Sequence, residues 1–481
     1  MSSIKELPPP ADLSPQNIEQ IRHLTLSSED GRDAFVGTEL RPWLSEYGLN
    51  RTRLFVEIQY LCTLSQAGVI RHFTDEELKT LDDMVINFSL EEEDRVKEIE
   101  TRTHHDVTSI IRFIDERLSS TSLSDISEFI HYGLTSDDIN NLAWRINLRE
   151  ARDRVLQPAM KKLLMKLVEI AEENKEVPML GRSHGQPAVP TTFGKEFVNF
   201  AVELSKEAEK LSVYKFSGKL NGAIGTFEAL SLLNPDVDWL DFSERFIASL
   251  GLEPILHSTQ VNPNLDVVEY LQIMSRINTT IHKLDTDTWR YISDDWLIQK
   301  AEGDPSSTMP NKVNPIDFEH SEGECEKANG MIDALARELP DTRLQRDLSD
   351  TPLFRDLPLI YFRTLDAWQR TVKGLNKITA DPNKMLEAVN ANWAILASPT
   401  QLLLRKAGIP LSNAYDGVKR KTQGKKFDRV TWKKLVESLI TEYGIDNTDE
   451  ATQLRGLSPA TYIGKAKELT EIGIQIVNQY L

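Results

Sequence analysis

LDVVEYLQIMSRINTTIHKLDTDTWRYISDDWLIQK, residues 265–300, contains neither glycine nor proline, and Pro263 stands just before it. Its apolar side chains Val267, Leu271, Met274, Ile277, Ile281 and Leu284 recur every three or four positions, the stripe of an amphipathic helix. At 1.5 Å per residue, one helix over the whole stretch reaches about 50 Å. A helix of that length outgrows a small domain. It must bury its stripe against partners, within the chain or between subunits.

The same period continues on either side. After Gly194, Phe197, Phe200, Leu204, Ala208 and Leu211 share a face with Phe193. After Pro158, Leu163, Leu164, Leu167 and Ile170 do so, and Pro158 suits a helix's first turn. Alternating strand patterns are rare, so the expected class is all-α. Three connectors interrupt the helices: LGRSHGQPAVP (180–190), SGKLNGAIG (217–225) and AEGDPSSTMPNKVNP (301–315). Long loops on a helical scaffold are where chemistry tends to sit. A chain of 481 residues is too long for one simple core, so two or three domains are expected.

Composition removes several classes. Hydrophobic residues at 40% and charged residues at 27% fit a globular chain rather than a disordered one. No apolar run approaches the roughly 20 residues of a membrane span. The opening MSSIKELPPPADLSP has no apolar core of a secretory signal, so a cytoplasmic protein is expected. Cys62 and Cys325 are too few for a disulfide framework, and neither sits in a CxxC pair. A net charge of −18 argues against general nucleic-acid binding. It also means that cations for an anionic small substrate must be gathered locally.

Five polar segments are open to chemistry. In GDPSSTMPNKVNPIDFE (303–319), small residues and prolines suit a loop that closes over a ligand, and Lys312 and Asn314 suit a carboxylate. A solvated surface turn fits the composition equally well. In GRSHGQP, His184 can serve as acid or base, or be hydrogen-bonded in a turn. In THHDV, His104 and His105 point different ways and no third ligand follows by spacing, so a non-metal role is favoured for them and Asp106. Thr135 and Ser136 offer hydroxyls to a ligand or cap a helix. Arg346, Thr351 and Arg355 in LQRDLSDTPLFR suit a phosphate, or form a salt-bridged solvated face.

Together these segments carry a resemblance. SSTMPNKVNP resembles the signature loop of the fumarase/aspartase superfamily, roughly G-S-S-x-M-P-x-K-x-N-P. SEYGL (45–49), HDV (105–107), TSDDINNL (135–142), SHGQPAVPTTFGKE (183–196), GKLNGAIG (218–225), LQRDLSD (344–350) and SPATYIGKA (458–466) are similar to the longer bacterial branch of adenylosuccinate lyases within it. That resemblance implies a three-domain, all-α chain: an N-terminal helical domain (1–125), a central long-helix bundle carrying the signature loop (126–378), and a C-terminal helical domain (379–481). It implies a homotetramer whose sites are each built from three subunits. The reaction implied is β-elimination of fumarate from adenylosuccinate, giving AMP, and from the succinylated aminoimidazole carboxamide ribotide. No metal or organic cofactor is implied, and no nucleic-acid or membrane partner.

Carried over by position, Ser306 resembles the catalytic base, and His184 the acid that protonates the leaving nitrogen, oriented by Glu319. Lys312 and Asn314, flanking Val313, resemble the groups that hold the succinyl carboxylate. His105, Asp106, Thr135, Ser136, Gln260 and the position of His320 resemble substrate binders. Arg32 with Asp33, and Arg346 with Thr351, Pro352, Leu353, Phe354 and Arg355, resemble the nucleotide-binding set. Some positions depart from the branch. Asp33 stands for Tyr, His104 for Asn, His320 for Asn, Pro352 for Thr, and Asn262–Leu265 for E-P-H-D. Two alternatives therefore stand beside the leading one. They are a related lyase acting on another succinyl–amine adduct, and a non-catalytic structural homologue.

Overall fold

The computed structural model describes residues 6–7, 25–302, 309 and 311–481. These residues are mostly helical, with three small two-stranded sheets. None of the described helices is long and apolar enough to cross a membrane.

The deciding stretch folds as a 29-residue helix, Leu265–Ser293, and stops before Lys300. Two aspartates explain the stop. Asp294 takes the Arg290 guanidinium at 2.8 Å, so its carboxylate is committed at the helix end. Asp295 adopts a left-handed backbone, φ 59°, which Asp tolerates and a continuing helix does not. The chain then becomes extended, and Leu297–Gln299 pairs antiparallel with Ile378–Ala380. Phe193–Ser212 is helical as expected. Pro158 does not begin a new helix. Helix Ser136–Ala151 passes through a π-helical turn, Arg152–Leu156, directly into Gln157–Glu173. Proline has no N–H to donate and crowds the preceding turn, and the wider turn ahead of Pro158 accommodates both.

The connector at 180–190 is a β-hairpin rather than a loop. Pro178–Ser183 pairs with Gln186–Thr192, and the Ser183–Gln186 pairing leaves His184 and Gly185 as the two turn residues. Both have positive φ, 54° and 71°, as a two-residue hairpin turn of the primed kind requires.

The chain divides into two compact units. The first comprises Met1–Met160, Glu207–Thr279 and Gly323–Ala367. In it, Tyr361 donates to the Tyr270 hydroxyl at 2.8 Å, and Asn278 donates to Thr364 at 3.2 Å, between completely buried side chains. The second comprises Lys161–Lys206, Thr280–Glu322 and Trp368–Leu481. There the Thr371 hydroxyl lies 2.9 Å from the buried Asp285 carboxyl, which burial drives well above the ordinary carboxylate range. A separate cluster of Trp393, Leu396, Leu404, Trp432, Leu439 and Ile440 forms the core of the C-terminal helices.

Candidate active site

In the first unit, helix Ser136–Ala151 presents Asp137, Asn140, Asn141, Trp144 and Arg145 to a cleft of about 260 Å³. Their spacing of three, four, seven and eight residues is one helical face. Arg53 and Asp106, Asn262 and Asn264, and Arg346, Thr351, Phe354 and Arg355 form other parts of the lining. Five separated stretches of sequence thus meet in one concavity.

The arginines of the cleft fall into two kinds. Arg145 is fully buried and makes a two-pronged pair with Asp266, both contacts at 2.8 Å, while also donating to Asn264 Oδ1 at 3.0 Å. Arg53 donates to Asp106 Oδ2 at 2.5 Å, to Asn140 Oδ1 at 2.7 Å and to Asn50 Oδ1 at 2.7 Å. Burial alone would raise the Asp106 carboxyl, but Arg53 and the Val107 N–H hold it below its ordinary range. Behind Arg53, Asn50 Nδ2 donates to both oxygens of Glu93, which burial pushes up to about 7. Arg346 and Arg355 differ. Neither side chain has a hydrogen bond or ion pair with any described residue, so they are not part of a salt-bridged face. Two such guanidinium groups near the Thr351 hydroxyl can hold a phosphate in a two-pronged grip.

A buried hub fixes the neighbouring hydroxyls. Asp138 accepts the backbone N–H of Thr135 at 3.0 Å, of Asn221 at 3.0 Å and of Gly222 at 3.2 Å, and pairs with Lys219 at 2.9 Å. Both side chains of that pair are completely buried. Thr135 accordingly caps its helix, and its Oγ1 accepts from Gln260 Nε2 at 3.0 Å. Gln260 in turn donates its backbone N–H to Gln345 O at 3.2 Å, beside Arg346. Thr135, Gln260 and the Arg346 segment are therefore tied together, with Ser136 half-buried at the helix start. His105 caps helix Asp106–Leu118, its Nδ1 accepting from the Thr108 N–H at 3.4 Å. His104 ends the preceding helix in a left-handed conformation, φ 51°. Exposed Arg32, buried Asp33, exposed Pro352 and half-buried Leu353 are not among the cleft-lining residues.

In the second unit, the site residues occupy tips and termini. His184 stands exposed at the hairpin turn, and its ring has no hydrogen-bond or ion-pair partner among the described residues. Arg182 braces the hairpin: its guanidinium lies 5.5 Å from the centre of the Trp296 ring and 3.5 Å from Asp294. Lys312, Val313 and Asn314 lead into helix Ile316–Glu338. Lys312 is exposed, without a side-chain partner among the described residues. Val313 O accepts Gln299 Nε2 at 3.0 Å, and Asn314 lines a small cavity of about 100 Å³ with Asp317 and Lys377. Glu319 accepts the Trp289 indole N–H at 3.1 Å and makes no bond to His184 within the described chain. His320 is half-buried on the same helix. Ser306 lies outside the described residues.

Arg53, Asp137, Asn140 and Arg145 are cleft residues that the motifs alone did not single out as binders, while Asn262 and Asn264 stand at positions where the sequence departs from the branch. Their signal was available in part. A polar residue at each of positions 137, 140, 141 and 145 makes one helical face polar. Arg53 had no such mark, because only tertiary packing brings it to Asp106.

Known proteins resemble this chain over most of its length. A family model described as lyase matches residues 40–330, and one described as adenylosuccinate lyase C-terminal matches residues 342–463. Adenylosuccinate lyase of Haemophilus influenzae is 38% identical over 459 residues, covering 94% of this chain and 99% of that protein. The enzyme of that name from Escherichia coli K12 is 37% identical over 447 residues, covering 92% of this chain and 96% of that protein. Among solved structures, a 3-carboxy-cis,cis-muconate lactonizing enzyme from Pseudomonas putida superposes with a TM-score of 0.72 at 17% identity, covering 92% of this chain and 97% of that one. A fumarate lyase from Mesorhizobium sp. BNC1 has a TM-score of 0.72 at 16% identity, covering 91% and 97% respectively. The two structures establish the fold.

Proposed function

Because the chain belongs to the adenylosuccinate lyase family, we propose that it eliminates fumarate from adenylosuccinate, leaving AMP, and from the succinylated aminoimidazole carboxamide ribotide. The observation that carries this reading is the cleft with two uncommitted guanidinium groups, Arg346 and Arg355, beside two arginines already neutralised by Asp106 and Asp266. An acidic chain that leaves two clustered cations unpaired has a place for an anion, here the nucleotide phosphate.

The chemistry follows from residue types. Ser306 removes a proton from the succinyl carbon next to a carboxylate. The electron pair moves onto that carboxylate as an aci-carboxylate, which Lys312 and Asn314 stabilise by charge and hydrogen bonding. Collapse forms the carbon–carbon double bond of fumarate and breaks the C–N bond. His184 gives a proton to the departing nitrogen. Thr135, Ser136 and Gln260, held by the Asp138–Lys219 hub, bind the succinyl end, with the His105–Asp106 pair. The working form in this reading is a homotetramer, with His184 and Ser306 of one site on different chains. The unpartnered, exposed position of His184 supports that arrangement.

The test is turnover of adenylosuccinate followed by absorbance, with both products identified chromatographically. Fumarate and AMP in equal amounts are the expected result. Cleavage of a different succinyl–amine adduct with adenylosuccinate untouched would instead point to the changed floor of the cleft, where Asn262 and Asn264 stand.

A further inference from the structure

Asp137 is the one acidic side chain of the cleft whose position the preceding chemistry does not use and whose bonding the fold leaves incomplete. It follows the Thr135–Ser136 pair and is only 7% exposed. Its Oδ2 is sealed from solvent without any hydrogen-bond donor, and no donor among the described residues reaches Oδ1 either. A buried carboxylate normally finds partners, and one left without them costs stability. Its neighbours in the cleft do not supply a donor. Arg53 and Arg145 are committed to Asp106 and Asp266, and Asn141 Nδ2 donates to the backbone oxygens of Asp137 and Lys219, not to this carboxyl. Burial pushes the Asp137 carboxyl up to about 6, against the pull of Lys219 and Arg346.

The missing donor has to come with the ligand. Arg346 is one of the two cations acting on Asp137, lines the same cleft, and is one of the two uncommitted phosphate-binding cations, so Asp137 belongs to the phosphate end of the cleft. In a nucleoside 5′-phosphate, the hydrogen-bond donors nearest the phosphate are the ribose hydroxyls. The nitrogen that carries the succinyl group lies across the base, much farther away. We infer that Asp137 is a specificity-determining residue that accepts a hydrogen bond from a ribose hydroxyl, so that the cleft selects ribonucleotides over their deoxy counterparts. This rests on reading Arg346 and Arg355 as the phosphate grip. A site with a buried acceptor awaiting a hydroxyl discriminates strongly against a ligand that lacks it, because the acceptor then stays unpaired.

The experiment is calorimetric binding of AMP, 2′-deoxy-AMP, 3′-deoxy-AMP and inorganic phosphate to the intact protein and to Asp137→Ala and Asp137→Asn. For the unaltered protein, one of the deoxy nucleotides should bind about 10- to 100-fold more weakly than AMP. Asp137→Ala should bring AMP down to the level of that analogue while leaving phosphate unaffected. Asp137→Asn, which keeps one acceptor oxygen, should retain part of the discrimination. Unchanged discrimination in Asp137→Ala overturns the assignment. So does an equal loss of phosphate affinity, which would mean that Asp137 acts only through Arg346, and so does a failure of the unaltered protein to bind AMP. Turnover of adenylosuccinate is measured in parallel. Hydroxyl discrimination without turnover leaves the assignment standing and removes the proposed reaction, whereas turnover without discrimination does the reverse.

Discussion

At the Arg53 corner of the cleft, all three guanidinium nitrogens are bonded to protein, whereas His184 on its hairpin and Lys312 ahead of its helix have no side-chain partner among the described residues. The first arrangement is rigid before any ligand arrives. Asn50 and Glu93 sit behind the groups that face the cleft, and Asn140 holds Arg53 from within the lining, so their orientation is fixed in advance. The second arrangement places its reactive groups on solvent-exposed tips, braced at their bases by Arg182 and Gln299 but open at their ends. The difference teaches where each half obtains its precision. The binding half draws it from buried networks within the chain, and those networks burden the fold. The acid–base half draws little from this chain, and under the proposed function its surroundings come from another subunit.

That comparison can be broken at several points. The largest effect is expected at His184. His184→Ala should lower kcat by about 10²- to 10⁴-fold, the usual contribution of one acid–base group, with an unchanged Tm because the exposed ring has no hydrogen-bond or ion-pair partner among the described residues. A falling Tm would mean that the hairpin tip is structural after all. Arg53→Met should do the opposite: a clear drop in Tm and weaker binding, from loss of three hydrogen bonds and an unpaired Asp106.

Next in size, Arg346→Ala or Arg355→Ala should raise KM for adenylosuccinate by roughly 10- to 100-fold with kcat largely kept. The same variants should cleave the unphosphorylated succinyl nucleoside no worse than the unaltered protein does. A matching loss on the nucleoside would remove the phosphate from the cleft.

Glu93 tests the burden that the buried network places on the fold. Its carboxyl is raised from 4.5 to about 7, so the folded protein holds that proton more tightly than the unfolded chain does. Stability from this group is therefore present below about pH 4.5 and is lost as pH rises towards about 7. Glu93→Gln should accordingly gain up to roughly 2 to 3 kcal/mol over the unaltered protein above pH 7, less any weakening of the Asn50 contact. The gain should vanish in denaturant titrations near pH 4.5. A difference independent of pH would show that Glu93 does not titrate in the fold. The smallest effect is expected from metal removal: dialysis against a chelator should leave kcat unchanged, and loss restored by Zn²⁺ or Mg²⁺ would redirect attention to His104 and His105.

Much of this was legible in the sequence because the signals are local. The apolar stripe from Val267 to Leu284 encodes its helix directly. Its end was not legible, since the backbone preference of Asp295 is weak and acts only together with Asp294 and the strand that follows. Segment 180–190 read as a loop, because the prolines and glycines that mark loops also mark a tight hairpin with a two-residue turn. At the site, the cluster of Arg346, Thr351 and Arg355 was readable, but their lack of carboxylate partners was not, since pairing depends on distant segments. Asp137 lay inside a quoted motif, yet only the packing around it reveals a carboxylate without donors.

The central claim is that the acid–base half of the site is completed by another chain, and subunit exchange tests it most directly. His184→Ala and Ser306→Ala are prepared as separate inactive proteins, mixed in equal amounts, and allowed to exchange. Each site then needs its histidine from a Ser306→Ala chain and its serine from a His184→Ala chain. With random mixing each has a probability of about one half, so activity should return to roughly a quarter of that of the unaltered protein. Mixed oligomers that form and stay as inactive as the single variants would contradict the account, because both groups would then come from one chain.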